Sequence, residues 1–323
     1  MRPEKKARFV PILLVGFLSS SRKHLDHENP LGLPRKGAPP TLPRAQRGLP
    51  TKRKIPKVSK IVAVSSAKGG VGKSTIAANL ALSFTRHNLR TGILDTDIFG
   101  PSIPTLLNLH DAQPPELTPS NFLVPLQNYG LKSMSMGYLL PAESAPVAWR
   151  GLMVMKALQQ LLHEVDWSPG LDVLVLDLPP GTGDVQLSIG QQLEVDGAIV
   201  VSTPQDIAMK DAVKGVNMFK KMGINVLGMV QNMSVFICPK CGEGTRIFSH
   251  AAEEAAGGGV QGKCKEMGID FLGDVPLDAD ICRDADRGKP TIVAEEAVGE
   301  RTRSPYFESI AANVARKIGL QWQ

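Results

Sequence analysis

The sequence has few cysteines, few aromatic residues and no long apolar run. Four cysteines in 323 residues are too few for the disulfide framework of a small secreted protein. Aromatic residues make up 5% of the chain and apolar residues 42%, a balance that suits a globular protein. The apolar stretch at 9–18 is much shorter than the about 20 residues that a membrane-spanning helix needs, and no other segment is a candidate. The length is sufficient for one large domain with appendages.

The positive charge of the chain lies at its beginning. Residues 1–60 contain 15 Lys or Arg and three Asp or Glu, a net charge of +12, whereas the whole chain carries +6. The rest of the chain therefore carries −6. A mildly acidic body gives no electrostatic reason to bind nucleic acid, so no nucleic-acid partner is expected.

Residues 1–57 are rich in Arg, Lys, Pro and Ser, poor in acids, and without sustained periodicity. This composition predicts a disordered mitochondrial targeting leader, and hence a location in the mitochondrial matrix, ahead of one domain at 58–323. Two other interpretations stay open. A secretory signal peptide would need a small-residue cleavage site, which does not follow the apolar stretch, and a disordered tail without a targeting role would have the same composition.

The most informative motif is the stretch IVAVSSAKGGVGKST at 61–75. A β-branched run leads into a glycine-rich turn and then into an alanine-rich apolar segment, the pattern of strand, phosphate-binding loop and helix. Glycine lets the backbone N–H groups approach phosphate oxygens closely, and the helix N-terminus favours an anion. Lys73 would reach the β- and γ-phosphates of ATP, and Ser74 would bind Mg²⁺. The predicted nucleotide-binding residues of this loop are Gly69, Gly70, Val71, Gly72, Lys73, Ser74 and Thr75.

The loop departs from the common motif at two positions. Ala67 stands in place of the first glycine, and we expect it to keep a negative φ. Lys68 adds an early lysine, which gives KGGVGKST. This resembles the deviant phosphate-binding loop of dimeric ATPases related to the nitrogenase iron protein, MinD/ParA and the Mrp group. The resemblance implies a homodimer in which Lys68 acts on the nucleotide of the partner chain.

Further apolar runs are spaced like the strands of a parallel sheet. Four of them lie at 91–95, 171–177, 197–202 and 224–231, with helical segments between them. This alternation predicts an α/β fold with one doubly wound, mostly parallel sheet, and the resemblance places it with deviant P-loop NTPases. Strands are also predicted at 129–136 and 269–273, and a last amphipathic helix at 304–318.

Two aspartates follow strand ends, where ligands bind in sheets of this kind. Asp97 lies in DTDIFGPSIP, which resembles the switch I region of Mrp-type ATPases, so it would lie near Mg²⁺ or orient the attacking water. Asp177 ends a hydrophobic strand, the Walker B arrangement, and would reach Mg²⁺ through water. The following loop would offer the N–H of Gly181 to the γ-phosphate. The competing interpretation is that both aspartates only stabilise turns.

Three further features carry predictions of their own. Asn232 follows a predicted strand, and in relatives of these ATPases such an asparagine hydrogen-bonds adenine; the alternative is a turn residue. Arg150 would contact nucleotide or a partner chain. The last helix has Arg316 and Lys317 as its only basic residues, so we expect it to pack on the body. No stable membrane insertion is predicted, and peripheral association stays open.

Cys238 and Cys241 form a C-x-x-C pair within an insertion at 233–248. Two thiolates at this spacing indicate metal or redox chemistry. A structural Zn²⁺ or a [4Fe–4S] cluster usually has four ligands, so the ligand count is met most simply if two chains share one site. Thiolate chemistry alone leaves zinc and iron–sulfur equally open. Cys264 and Cys282 are expected to be ordinary buried thiols.

The phosphate-binding loop, DTDIFGPSIP, LDLPPGTGDVQLS, VSTPQDIA and QNMSVFICPKC together resemble the Mrp/ApbC family of iron–sulfur carriers over nearly all of 58–290. The resemblance implies a labile [4Fe–4S] cluster held by Cys238 and Cys241 across a homodimer, and its ATP-dependent delivery to recipient apoproteins. The leader resembles the mitochondrial branch of the family, which implies respiratory complex I subunits as recipients. Slow ATP hydrolysis would depend on Lys68, Lys73, Asp97 and Asp177.

Two other functions fit part of the sequence. A ParA/MinD-type positioning ATPase, which binds DNA or membrane, would use the phosphate-binding loop and Lys68 but would leave the cysteine pair without a role. In an ATPase with a structural zinc, Cys238 and Cys241 would only bind the zinc and stabilise the fold. Co-sedimentation with lipid or DNA would test the first, and the stability of the apoprotein after chelation would test the second.

Overall fold

The computed structural model describes residues 52–139, 151–248 and 258–322. The predictions for most of the leader and for Arg150 lie outside these residues. Within the described part of the chain, no helix is both long enough and apolar enough to cross a bilayer.

The described strands form one nine-stranded sheet in the order β3-β4-β2-β5-β1-β6-β7-β8, with β9 also paired to β7. All neighbouring pairs are parallel except the hairpins β3–β4 and β7–β8. The strands are β1 Val58–Ser65, β2 Thr91–Asp95, β3 Leu126–Asn128, β4 Leu131–Ser135, β5 Leu171–Asp177, β6 Gly197–Ser202, β7 Val226–Ile237, β8 Gly244–Thr245 and β9 Phe271–Leu277.

Helices cover both faces of this sheet and enclose two apolar cores. The described helices are α1 Lys73–Arg86, α2 Ile103–Leu106, α3 Gly151–His163, α4 Asp184–Gln192, α5 Asp206–Lys221, α6 Gly259–Met267, α7 Ala279–Asp286, α8 Thr291–Val298 and α9 Ser304–Ile318. Residues of α3 to α6 pack on one face, and residues of α1, α2 and α7 to α9 pack on the other. Along β1, Ile61 and Ala63 face the first core while Val62 and Val64 face the second, as the two-residue period of a strand requires. The predicted doubly wound, mostly parallel fold is therefore confirmed.

Several elements have the bounds that the sequence predicts. The strands at 91–95, 171–177 and 197–202 and the helix at 304–318 are all found there. Helix α9 buries Phe307, Ile310 and neighbouring apolar residues in the second core, which confirms that it packs on the body.

Other predicted bounds are wrong. The strand predicted to end at 231 continues as β7 to Ile237, passing an irregularity where Met233 has a φ of 58° and the register with β9 shifts. The run VFI after the irregularity is apolar and strand-forming, so pairing with β8 extends the strand. The strand predicted at 129–136 is shorter, because Tyr129 and Gly130 take positive φ values of 53° and 80° in the β3–β4 turn. Strand β9 extends through Pro276, which an edge strand tolerates.

The loop between β1 and α1 is held in place by β7. Gly70 and Gly72 have φ values of 78° and 80°, whereas Ala67 stays outside the left-handed region, as expected. The amide nitrogen of Asn232 donates to the carbonyl of Val71 over 2.9 Å, and a Cβ on Gly72 would lie 2.2 Å from that same nitrogen. Glycine is therefore required at 72 both by φ and by space.

A buried carboxylate in α8 organises the far end of the chain. Glu295 is 1% exposed and accepts hydrogen bonds from the backbone N–H groups of Thr302, Arg303 and Ser304 and from their side chains. Burial raises the pKa of Glu295, but these hydrogen bonds, led by Ser304, outweigh it and lower the pKa to about 2. Arg303 also contacts Asp280 at 2.7 Å, which ties α7 to the same network.

Replacing Gly72 by alanine should destabilise the nucleotide-free protein, whereas the same change at Gly69 should not. Gly69 lies outside the left-handed region and a Cβ there meets no atom within 4 Å, so the pair isolates the constraint at 72. The left-handed backbone alone costs an alanine about 1–2 kcal/mol, and displacement of Asn232 adds to it. Urea unfolding of the two variants measures the difference, and equal stability would show that the loop adjusts freely.

The Glu295→Gln variant should be less stable than the parent by about 3 kcal/mol at neutral pH, because the lowered pKa is a stabilisation present above the unfolded value of about 4.3. That stabilisation is lost as pH falls toward 2, so the difference between the two proteins should shrink over this range. Urea unfolding between pH 2 and 7 measures it. Glu296→Gln is the control, since Glu296 forms only an exposed ion pair with Arg86. A pH-independent difference would contradict the assignment.

Candidate functional site

A cavity of about 530 Å³ lies at the carboxyl ends of β1, β2 and β7, between the phosphate-binding loop and α7. Parallel strands bring their carboxyl ends to one edge, so residues far apart in sequence meet there. The lining includes Gly69, Gly70, Gly72, Lys73, Ser74, Thr75, Asp97, Pro180, Asn232, Pro276, Asp278, Cys282 and Asp286. Most of the predicted nucleotide-binding residues thus line one cavity.

Asp95 anchors the segment that carries Asp97. It is fully buried, and its carboxylate accepts hydrogen bonds from the N–H of Asp97 at 3.0 Å, the N–H of Ile103 at 3.2 Å and the hydroxyl of Ser135 at 3.1 Å. Burial, helped by the charge of Asp177, raises the pKa of Asp95 to about 7. The sequence predicted this aspartate as the last residue of the strand at 91–95, but not its three donors, which come from the following loop, the start of α2 and the end of β4.

Asp177 forms a buried ion pair with Lys73 at the floor of the site. The exposed fraction is 0% for the Asp177 side chain and 7% for the Lys73 side chain, and the ammonium also lies 3.2 Å from the hydroxyl of Ser74. The second carboxylate oxygen of Asp177 is buried without a hydrogen-bond partner among the described residues. This carboxylate oxygen and the hydroxyl of Ser74 are together a donor set that suits Mg²⁺.

Asp97 is half-buried and faces the cavity. Burial raises the pKa of Asp97, and the charge of Lys73 opposes the rise. Thr96, its neighbour, donates from both its N–H and its hydroxyl to the carbonyl of Asp177, at 2.9 and 2.8 Å. These two hydrogen bonds to the backbone of Asp177 link the ends of β2 and β5.

Three predicted residues do not line the cavity. Val71 packs its side chain in the second core. The N–H of Gly181 donates to the carbonyl of Ser66 at 2.9 Å, so it would have to leave that partner to reach a phosphate. Lys68 is exposed, and its ammonium forms no hydrogen bond or ion pair with the described residues.

The wall opposite the loop was only partly predicted. Pro276, Leu277 and Asp278 line the cavity here. The prediction that Cys282 is buried is wrong: it is exposed and lines the cavity, 3.8 Å from a carboxylate oxygen of Asp286. Cys264 is buried as expected, and burial raises its pKa to about 11. Helix α7 carries Asp280, Arg283 and Asp284 on one polar face. This pattern in the sequence indicates that the helix borders solvent.

Gln186 is a residue that the sequence analysis missed. It is 1% exposed, its amide nitrogen donates to the carbonyl of Pro179, and its amide oxygen lies 3.4 Å from the hydroxyl of Ser65. It therefore joins the end of β1 to the loop after β5. In the sequence, the only feature that indicates this role is a glutamine two residues after Asp184, at the start of a helix.

Cys238 and Cys241 lie in the turn of the β7–β8 hairpin. The N–H of Cys238 donates to Glu243 at 2.9 Å, the N–H of Gly242 donates back to Cys238 at 2.8 Å, and Gly242 has a φ of 73°. Hydrogen bonds from the N–H groups of Cys241 and Lys240 lower the pKa of Cys238. The thiolate form, which binds metals, is therefore favoured. Cys238 is half-buried and Cys241 is exposed.

The hairpin alone supplies two ligands. Among the residues that the structure describes, no group of three or more cysteine, histidine or acidic side chains could hold a metal ion. Two thiolates suit a thiophilic metal ion or an iron–sulfur cluster, but they are only half of the usual four ligands. A second chain as the source of the other half stays a prediction.

Known proteins resemble this chain over most of its length. The family model for ParA, described as NUBPL iron-transfer P-loop NTPase, matches residues 57–315. The chain is 51% identical over 270 residues to the iron–sulfur cluster transfer protein NUBPL of Dictyostelium discoideum, covering 84% of this chain and 80% of that protein. It is 42% identical over 272 residues to the mitochondrial iron–sulfur protein required for NADH dehydrogenase of Arabidopsis thaliana, covering 84% and 82%.

A solved structure adds to this likeness. The nucleotide-binding protein of Archaeoglobus fulgidus in complex with ADP is 34% identical, has a TM-score of 0.63, and matches 78% of this chain and 92% of its own. Since both the family model and the relatives span well over two thirds of the sequence, the chain belongs to the NUBPL iron-transfer P-loop NTPases of the ParA class.

Proposed function

We propose that this protein is an ATP-dependent iron–sulfur carrier of the mitochondrial matrix. Its cargo would be a labile [4Fe–4S] cluster held by Cys238 and Cys241 of two chains, and its recipients would be apoproteins of respiratory complex I. The names of the relatives from Dictyostelium and Arabidopsis support the cargo and the complex I link. The ADP complex of the Archaeoglobus protein supports nucleotide binding in the cavity.

One observation carries the proposal: a single strand joins the two sites. Strand β7 carries Asn232, which holds the phosphate-binding loop through Val71, and six residues later it enters the cysteine hairpin. A shift of the loop on nucleotide binding would therefore be transmitted along β7 to the thiols. This is a physical route by which ATP can bias the holding or release of the cargo.

The roles within the cavity follow from position and charge. Lys73 and the N–H groups of the loop would bind the phosphates, and Ser74 with Asp177 would hold Mg²⁺, whose charge would stabilise the phosphates during transfer. Asn232 would meet the adenine edge with its oxygen and its second N–H, since the first is engaged by Val71. Asp97 would orient the water that attacks the γ-phosphorus as the bond to the β-phosphate breaks. Hydrolysis is expected to be slow, because it only resets the carrier.

Two features that are incomplete within one chain support the proposed homodimer. Each chain has two thiols of a four-ligand set, and Lys68 is a cation exposed beside the loop without a described partner. Two large apolar side chains are exposed on the segments that such a dimer would bring together: Phe99, two residues after Asp97, is 68% exposed, and Ile237, next to Cys238, is 45% exposed. Apolar side chains in these places favour an interface.

Cluster binding should depend on the hairpin cysteines and not on the other exposed thiol. After anaerobic reconstitution with iron and sulfide, the parent should show a broad thiolate-to-iron absorption. Cys238→Ser or Cys241→Ser should abolish it, because both chains carry the change and only two of the four thiolates would remain, beside two weaker hydroxyl ligands. Cys282→Ser is the matched control and should keep the absorption. Stoichiometric zinc with no capacity for iron would favour the structural-zinc alternative instead.

ATP-induced dimerisation should depend on Lys68. The Lys68→Gln variant should stay monomeric with Mg·ATP while the parent dimerises, and thermal unfolding of the two should agree because the side chain is exposed. Light scattering after size exclusion measures the mass. Lys265→Gln removes an exposed lysine of α6 away from the cavity and should dimerise normally. A parent that stays monomeric with cluster and nucleotide bound would refute the dimer.

A further inference from the structure

Residues 52–57, here called the N-terminal segment, have the composition of the leader but the contacts of the folded body. Arg53 forms an isolated parallel bridge with Leu193. Its N–H donates to the carbonyl of Gln192 at 2.7 Å, and its carbonyl accepts from the N–H of Glu194 at 3.1 Å. Both backbone polar groups of Arg53 are thus satisfied at the end of α4, as in a short piece of sheet.

Ile55 anchors the N-terminal segment in the first apolar core. Its side chain is 2% exposed and is among the largest that the described residues bury fully. Burial on this scale removes nearly all of the apolar surface of an isoleucine from water, which stabilises the contact. The core is therefore incomplete without the segment.

The basic residues of the N-terminal segment also have partners on the body. The ammonium of Lys52 donates to the carbonyl of Met222 at 3.0 Å, and that of Lys57 forms an ion pair with Asp166 at 2.9 Å. These contacts are exposed, so each contributes little stability alone. They show that positive charge with the composition of a targeting signal is used here by the fold.

Lys57 turns the chain into β1 with a φ of 63°, a left-handed conformation that residues with a Cβ rarely adopt. Its carbonyl accepts a hydrogen bond from the N–H of Leu171, the first residue of β5, at 2.8 Å. Such a conformation persists only where the surrounding contacts hold it. The segment is thus fixed at both of its ends.

The N-terminal segment contacts two elements that lead to the candidate nucleotide site. Through Arg53 it holds the end of α4, the helix that follows the loop of Gly181. Through Lys57 it holds the start of β5, the strand that ends at Asp177. Loss of the segment would loosen both elements and open the first core.

We propose that residues 52–57 are retained in the mature protein and that a processing protease removes the leader by cutting N-terminal to Lys52. The reaction is hydrolysis of one peptide bond, in which water supplies the hydroxyl of a new carboxyl group on the leader and a hydrogen of a new amino group on the body. Bonds within the segment resist cleavage because a protease needs a backbone that opens locally. The inference rests on the proposed mitochondrial location.

The first test is import of the full chain into isolated mitochondria, with mass spectrometry of the N-terminus of the protein recovered inside. That N-terminus should lie between residues 2 and 52. A mature N-terminus at Arg53 or later would overturn the inference, and a product that keeps Met1 would overturn the cleavage. Failure of the chain to enter would refute the proposed location instead, and the two measurements that follow test the segment without import.

The second test is urea unfolding of the full chain with Ile55→Ala. Removing a core isoleucine side chain should raise the equilibrium constant for unfolding at least about thirtyfold. Ile207→Ala is the matched control: it is the same chemical change on a side chain of α5 that is 61% exposed, and it should alter the constant less than about threefold. Equally small effects of the two changes would show that Ile55 is not part of the core, and the inference would fail.

Hydrogen exchange of the parent chain covers the case in which Ile55→Ala does not fold. The N–H of Arg53, which donates to Gln192, should exchange at least about a hundredfold more slowly than its intrinsic rate. Exchange at the intrinsic rate would show that the N-terminal segment is not held on the body, and the inference would be overturned.

Discussion

The hydrogen bond from Asn232 to the carbonyl of Val71 connects the phosphate-binding loop to the strand that leads into the cysteine hairpin. It fixes the phosphate-binding loop against a strand that begins in the parallel sheet and ends in the cysteine hairpin. Gly72 accommodates that contact only because it has no side chain. Strand, loop and hairpin thus form one continuous path, and a nucleotide that moved the loop would act directly on the strand.

Charge is the second constraint on the site. The sheet places Asp95 and Asp177 side by side because parallel strands in register end together, and burial makes two adjacent carboxylates costly. The molecule offsets this with three hydrogen bonds to Asp95 and an ion pair to Asp177.

The sequence predicted the sheet best where strands are buried on both faces. The run at 171–177 is apolar almost throughout and ends at an aspartate, so both its type and its end were readable. The end of β7 was not, because Asn232 and Met233 have the composition of a turn, and the strand survives them through a contact between residues 161 positions apart. The exposure of Cys282 also depends on how α7 lies over the cavity. The motif assigned Lys73 and Asp177 to phosphate and metal, and it gave no sign of the buried ion pair between them.

The proposed carrier must couple two equilibria, and the coupling works in both directions. If ATP favours the dimer and the dimer completes the ligand set at Cys238 and Cys241, then ATP raises the affinity for the cluster. Linkage requires that the cluster raise the affinity for ATP by the same factor. A loaded carrier would then hold its nucleotide more firmly than an empty one, and hydrolysis, by removing the γ-phosphate that Lys68 would contact, would loosen both at once. Slow hydrolysis is consistent with this scheme, because a carrier that reset quickly would lose its cargo before it met a recipient.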